Sequence, residues 1–358
     1  MGEEQGTSEG AGGHRLVRVL VQVVGFLLSL GALWWAVSVA LREENRAQLE
    51  NLRDASAGQV MMLVGLSFAS VAINGLIFWV VIRPVHSIRA TDVISTNAIA
   101  TFLAYLPFKM SLIARVAIHS KRDGVAVLTI GAWFAAVAAL MLAVLGPMAL
   151  MSFVLKEVNV LWWVGVLGSV GVGVGVLIVL ARVFYGERGV ARIASVGFLK
   201  GLTEREAFTK VHAGFDMIAS PGSSVWAGVL RVLDVLAFAG RFVVAAAVLG
   251  LPITGGDALL LGSVYFLIGV LSPFGMLGTR EAGTIGAAAL FGVSAAAIGD
   301  GNAEGPIAAA VVFVTAVEAV VNLGCAGFGV AWLRISPKVK REEVRRGGND
   351  AEGEEKRG

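Results

Sequence analysis

Long apolar runs separated by short polar punctuation dominate this chain, and the run lengths carry most of its structural information. From about Leu16 to Leu41, Val60 to Ile82, Val125 to Val154, Val160 to Phe184, Val225 to Leu249 and Ile307 to Leu333, the sequence stays predominantly apolar. Each run exceeds the roughly 18 residues at which a membrane-spanning helix becomes the default reading. Ser38-Val39-Ala40 has the form of a signal-peptidase site, but the run before it is longer than the roughly 7 to 15 residues of a signal h-region. The first run is therefore read as a retained span. Two shorter runs, Ala258 to Leu271 and Ala282 to Ile298, are read as two further crossings, which makes eight.

The segment Val93 to Ala114 breaks the pattern. It has sixteen uncharged residues before Lys109, with Pro107 near their end, too few for a comfortable crossing. Basic residues stand on both flanks: Arg83 and Arg89 before it, Arg115, Lys121 and Arg122 after it. A re-entrant hairpin that dips in and returns to the cytoplasm satisfies the positive-inside rule better than a full span. Should the segment cross instead, another short one must re-enter, with the Ala282 stretch foremost.

A second interruption, Leu271 to Ala288, places Pro273, Gly275 and Gly278 ahead of Arg280 and Glu281 inside apolar sequence. A broken helix in a bilayer is tolerated where protein or a water-filled cavity satisfies the freed backbone groups. A helix starting near Gly278 would present N–H groups and a positive dipole end beside Arg280, a place for a phosphate or carboxylate. Glu281 in its first turn would suit the dipole and hold Arg280. The alternative is a charged cytoplasmic turn between two spans. Pro107-Phe108-Lys109-Met110 echoes Pro273-Phe274-Gly275-Met276, and matching interruptions in two halves point to an internal repeat around a transporter-type site.

Charge then orients the chain. Residues 182–216 carry six Lys and Arg against four acids, so the 185–224 segment is expected on the cytoplasmic side. Within it Thr203 and Glu206 form a capping-box pattern, and Ala207, Phe208, Val211, Phe215 and Ile218 recur at helical spacing, predicting an amphipathic surface helix. Residues 299–305 have Asp300 and Glu304 but no Lys or Arg, as an outside loop should. Residues 1–13 read as a disordered tail, 14–335 as a polytopic membrane domain, and 336–358 as a charged cytoplasmic tail. Both termini are expected inside a cell (inner) membrane.

Composition agrees. The 358 residues are 56% hydrophobic and 15% charged, with mean hydropathy +0.79, whereas soluble domains carry about 25% charged residues. The 46 glycines suit close helix packing in lipid, and Gly165, Gly168, Gly171 and Gly175 lie roughly on one helix face. Cys325, the single cysteine, is read as a packing residue.

Buried charge supplies the candidate chemistry. Arg231, Asp234 and Arg241 share one face of the Val225 to Leu249 run with Phe238. Arg231 could snorkel to the interface; Arg241 lies too deep. A mid-bilayer charge costs at least about 2.5 to 3.5 kcal/mol, so Arg241 needs a partner, Asp234 or Glu318, or an anionic ligand. An internal ion pair that only holds helices together is the competing reading. The candidate substrate-binding set is Lys109, Arg115, Arg241, Gly278, Arg280, Glu281 and Glu318. No catalytic or metal constellation is seen: the four histidines are scattered, and no Walker-type loop or cysteine cluster is present. No cofactor, nucleic-acid partner or enzymatic role is expected.

Pro273, Gly275, Gly278, Glu281 and Gly292-Val293 together resemble the signature of the lysylphosphatidylglycerol synthase transmembrane family, the flippase-like domain, although Met276 stands where a second glycine of that pattern would be. Asn97, Leu106-Pro107-Phe108-Lys109 and Arg115 are similar to its first-half pattern. The resemblance covers roughly residues 15 to 335 and implies an all-α membrane domain of about eight spans plus one or two re-entrant segments. Family members carry this domain alone or fused to a cytosolic aminoacyl-transfer domain, and a chain ending at Gly358 is expected to be the stand-alone form. The implied role is translocation or handling of an anionic lipid or lipid-linked substrate between leaflets, with membrane lipid as partner and a homo-oligomer possible. The family's last span often has an arginine about where Glu318 stands, which leaves the substrate class open. A non-transporting scaffold or partner subunit of an envelope-lipid enzyme is the alternative. For topology, Lys200→Cys should be labelled by an impermeant maleimide only after cells are permeabilised; labelling of intact cells beyond that of the unsubstituted protein would reverse the orientation.

Overall fold

The computed structural model describes residues 9–195, 200–203, 205–272, 274–293 and 304–337, and among them helices are the only regular elements. Six are long and apolar enough to cross a membrane. These are α1 (Glu9–Ala40), α3 (Ala57–Ile82), α6 (Val127–Leu155), α7 (Val160–Val183), α11 (Pro221–Leu249) and α14 (Glu304–Ile335). The others are α2 (Arg46–Asn51), α4 (Ala90–Leu103), α5 (Met110–Lys121), α8 (Gly186–Ala194), α9 (Lys200–Thr203), α10 (Glu206–Ala219), α12 (Gly255–Leu271) and α13 (Thr279–Leu290). The helix starts are written locally. Ser56 and Gln59 form a capping box on α3, Thr254 and Asp257 do so on α12, and Asn159 caps α7. Pro221 opens α11, and Gly250, at φ 69°, closes it.

The short helices make two hairpins. α4 and α5 have 14 and 12 residues, about 21 and 18 Å, against a hydrocarbon core of about 30 Å. Arg115 bonds Asn97, and Arg122 pairs with Asp92; both links join positions nearly equidistant from the turn, so α5 returns to the side from which α4 entered. Phe108 and Lys109 make the turn in left-handed conformations, φ 65° and 50°. The expected re-entrant segment is therefore present. At its base Asp92 also accepts from Trp332 and Ser336 at the end of α14.

The second hairpin departs from expectation. Ala258 to Leu271 and Ala282 to Ile298 were read as two crossings, yet α12 and α13 have only 17 and 12 residues and fold back on each other. Gly269 packs on the Arg280 side chain and Gly283 on Ile268, positions that flank the same turn. The physical reason is the break itself: Gly275 and Gly278 take φ 114° and 85°, reversing the chain before it can cross. Pro273 and residues 294–298 lie outside the described residues, as do Asp300, residues 1–8 and residues 338–358. Six crossings with two hairpins, like eight with one, put the start of α1 and the end of α14 on the same side.

The halves are inverted copies in element order. α3, the α4–α5 hairpin and α6 form one; α11, the α12–α13 hairpin and α14 form the other. α3 and α11 run antiparallel, with Ser70 against Asp234 and Leu66 against Gly240, so the hairpins that follow them enter from opposite sides. Their tips meet inside the bundle, where the Met276 N–H donates to the Ala104 carbonyl at 3.0 Å. The two stretches of the Pro-Phe echo thus occupy equivalent turns. α1 covers the second tip: Phe274 packs on Gly25, and Ser29 backs Gly278.

Two smaller expectations change. α10 begins after Arg205, which makes no side-chain cap; the Glu206 side chain, and with it the expected Thr203–Glu206 capping box, lies outside the described residues. α10 buries His212, Ala213 and Met217 against α6 and α7, leaving Val211 and Phe215 exposed. Of the glycine face on α7, only Gly165 meets a neighbour, Met151, while Gly173 packs on Ala143 and the others face open space. The packed face is instead the Trp162, Val166, Val170, Val174 and Ile178 series, because bulky residues fill the groove over α6.

Gly278 offers a clean stability test. A Cβ there would collide with the Ser29 carbonyl oxygen and impose a left-handed φ on a side chain. Gly278→Ala should cost at least about 2 kcal/mol, whereas Gly286→Ala, with open space around it, should be neutral or mildly stabilising. Thermal unfolding of the two purified variants checks this, and equal midpoints would mean that the tip is not packed as described.

Candidate functional site

A cavity of about 330 Å³ lies where the two hairpin tips face α3, α6, α11 and α14. Five cations line it, Lys109, Arg115, Arg231, Arg241 and Arg280, with Glu318 as the acid. Its walls are otherwise largely apolar. Each half contributes: Lys109 sits at the first tip, Arg115 one and a half turns into α5, Arg231 and Arg241 on α11, Arg280 at the start of α13, and Glu318 midway along α14.

Glu318 binds two arginines. Its Oε2 accepts from Arg241 Nη1 at 2.9 Å, and its Oε1 accepts from Arg280 Nη1 at 3.0 Å. Arg280 Nε also reaches Glu281 Oε1 at 3.2 Å. Around this quartet, the Tyr265 hydroxyl donates to Glu318 at 3.1 Å, Thr315 donates to Glu281 at 2.9 Å, and Asn322 links Glu318 to the Tyr105 hydroxyl. Arg280 lies 4.0 Å from the Tyr265 ring centroid and Arg241 3.8 Å from that of Phe238. Two arginines and two glutamates balance, which is what makes four ionised groups tolerable where Arg280 and Glu281 are 0% exposed. Of the two partners open to Arg241 in sequence, Glu318 is the one.

Asp234 belongs elsewhere. It accepts from Arg231 at 2.7 Å and from Ser70 at 2.6 Å. Arg231 does not snorkel to an interface: it is 2% exposed and faces the cavity, because Asp234 one turn away neutralises it there. Arg115 is held by Asn97 Oδ1 at 2.6 Å and lies over the Phe78 ring at 4.2 Å.

Five of the seven sequence candidates, Lys109, Arg115, Arg241, Arg280 and Glu318, therefore line one cavity. Gly278 and Glu281 stand behind it: the Gly278 N–H donates to Glu281, which orients Arg280. The expected N-terminal anion seat at α13 is thus occupied in part by the protein's own carboxylate. Arg231, Ser70, Asn97, Tyr105, Tyr265 and Asn322 complete the polar shell. Of the hydroxyl and amide groups, Asn322 was within reach of sequence reasoning, four residues after Glu318 on the same helix face.

The guanidiniums are not saturated. Arg115 Nε, Arg231 Nε, Arg241 Nε and Nη2, and Arg280 Nη2 are buried without hydrogen-bond partners among the described residues. Unmet buried donors are costly, and their collection around one cavity suits a ligand rich in acceptor oxygens.

Residues 22–299 match the lysylphosphatidylglycerol synthase TM region family. The chain belongs to this family. The match spans both hairpins and the cavity between them, leaving α14 with Glu318 beyond its end. Neither a curated protein nor a solved structure matches the chain. Membership assigns a multi-pass membrane protein of a lipid-associated family.

The Glu318 bridge makes a thermodynamic prediction. Arg241→Met alone should lower stability by about 3 to 5 kcal/mol, because it leaves Glu318 short of a counter-ion in the membrane interior. Combined with Glu318→Gln it should recover about 1 to 3 kcal/mol of coupling, whereas combination with Asp234→Asn should be additive. Chemical denaturation of the wild type, the three single variants and the two double variants measures both couplings; a larger coupling to Asp234 would refute the assigned pairing.

Proposed function

We propose that this protein is a flippase-like, non-enzymatic membrane protein that translocates or handles an anionic lipid or lipid-linked substrate between leaflets, with both termini in the cytoplasm. The observation that carries the reading is the cavity at the meeting hairpin tips, lined by Lys109 and by four arginines whose guanidiniums retain N–H groups without partners among the described residues. An inverted repeat supports it in a second way. Hairpins entering from opposite sides place their tips near the middle of the bundle, and such halves can rock about a central site to open it alternately. The cavity wall includes the exposed Leu106, Leu112 and Val270, apolar surface suited to acyl chains while the head group stays inside.

A scaffold would be expected to pair its buried charges completely. The quartet and the Arg231–Asp234 pair fit that description, but the buried Arg115 has no carboxylate partner among the described residues. It favours a ligand site over a purely structural network, with the exposed Lys109 beside it on the cavity wall.

A leaflet-resolved assay in vesicles carrying the purified protein tests the proposal with fluorescent anionic and zwitterionic lipids. Wild-type protein should accelerate exchange of the anionic lipid. Arg280→Lys should retain part of the rate, since lysine keeps the charge without the bidentate fork, and Arg280→Gln should abolish it. Lys109→Ala, at an exposed turn, should slow exchange without loss of fold. Wild-type rates in both Arg280→Gln and Lys109→Ala would sink the transport reading in favour of the scaffold.

A further inference from the structure

The acids around the cavity are all engaged. Asp234 is held by Arg231 and Ser70, Glu318 by Arg241 and Arg280, and Glu281 by Arg280, Thr315 and the Gly278 N–H. Arg115 stands apart from these balanced groups. It is 8% exposed, its Nε has no partner among the described residues, and the one side chain among them to which it is bonded is the neutral Asn97, itself fixed by donating to the Val71 carbonyl at 2.9 Å. Phe78 and Phe134, with ring centroids 4.2 and 5.6 Å from its guanidinium carbon, wall it on the apolar side. Lys109 lies on the same hairpin at the exposed tip, in a left-handed conformation at φ 50°. A buried cation in a membrane interior is costly without a partner, and none of the described residues supplies a carboxylate to this one.

The geometry points to a phosphate seat at Arg115, with Lys109 at its mouth, that takes the phosphodiester of a net-negative lipid head group and discriminates against head groups that also carry an ammonium. This rests on reading the cavity as a lipid head-group site. An ammonium would enter among five cations with every carboxylate already paired, and such like-charge placement is the repulsive element from which specificity is built. Arg241, Arg280, Asn322 and Ser67 also line the cavity, with polar atoms that lack partners among the described residues and lie just behind its accessible surface. Arg280 then serves as a donor inside a neutral network, and the phosphate binds on the first hairpin instead of at the start of α13.

Calorimetric titration of the purified full-length protein with dioctanoyl phosphatidylglycerol, dioctanoyl phosphatidylethanolamine and glycerol 3-phosphate tests this. Wild-type protein should prefer the phosphatidylglycerol over the phosphatidylethanolamine by about tenfold or more, equivalent to about 1.4 kcal/mol. Arg115→Gln should remove the preference. Asn74→Asp, which adds a free carboxylate to the cavity wall, should narrow or invert it, and decides the matter should Arg115→Gln fail to fold. Equal affinities in wild-type protein, or an unchanged ratio in Asn74→Asp and in folded Arg115→Gln, would overturn the seat. So would Arg280→Gln erasing the preference while Arg115→Gln keeps it. Competition by glycerol 3-phosphate at the concentrations effective for phosphatidylglycerol would make a soluble phosphate ester the ligand and overturn the lipid assignment. Head-group preference without leaflet exchange would keep the seat and remove the transport reading; exchange without preference would do the reverse.

Discussion

Glu318 reaching two arginines is the interaction on which the interior of this protein depends. It joins α14 to α11 through Arg241 and to the second hairpin through Arg280, so one carboxylate ties together three elements. In lipid no hydrophobic force drives helices together, because acyl chains are as apolar as leucine; packing and polar contacts must do it. A charge network therefore has structural weight in a membrane that it lacks in a soluble core. It also has a precondition. The quartet is tolerable only because it is neutral and nearly every oxygen is bonded, and the tyrosines, Thr315 and Asn322 around it meet that requirement.

The same constraint explains the broken helices. A continuous α12–α13 helix would leave Arg280 on a lipid-spanning rod. Turning the chain at Gly275 and Gly278 places the first turn of α13 against α14 and α1, with Arg280 and Glu281 pointing inward. The first hairpin uses a different device for the same turn, two consecutive non-glycine residues in left-handed conformation. Such a backbone costs of order 1 to 3 kcal/mol per residue and persists where surrounding structure enforces it. At the Lys109 turn the enforcement comes from tip-to-tip packing and from the Asn97–Arg115 bond beneath it.

How much of this was legible in the sequence varies by feature. Run length located the six long helices, and flanking arginines with Pro107 marked the first hairpin. The second hairpin was misread as two crossings because α12 is apolar beyond Asp257 in its first turn and reads on its own like a short span; periodicity carries no information on which way a chain turns after a glycine. Arg241, Arg280 and Glu318 were identifiable because ionised residues in apolar runs are expensive. Which acid paired with which base was not, since Asp234 and Glu318 both lay within plausible reach and only three-dimensional packing assigns Asp234 to Arg231. Arg231 shows the converse error: nearness to a helix end suggested snorkelling, while a carboxylate one turn away made burial affordable.

Charge balance separates what holds the fold from what is free to bind. Had a cation stood at position 318, as the family resemblance suggests is common, Arg241 would lose its carboxylate and Arg280 would keep only Glu281, so the anion-binding surplus would sit in the second half of the repeat. With glutamate there, that surplus is cancelled and the uncompensated charge moves to the other half of the repeat, to Arg115 and Lys109. A single residue on α14 thus decides which half of the repeat presents cations without a carboxylate among the described residues.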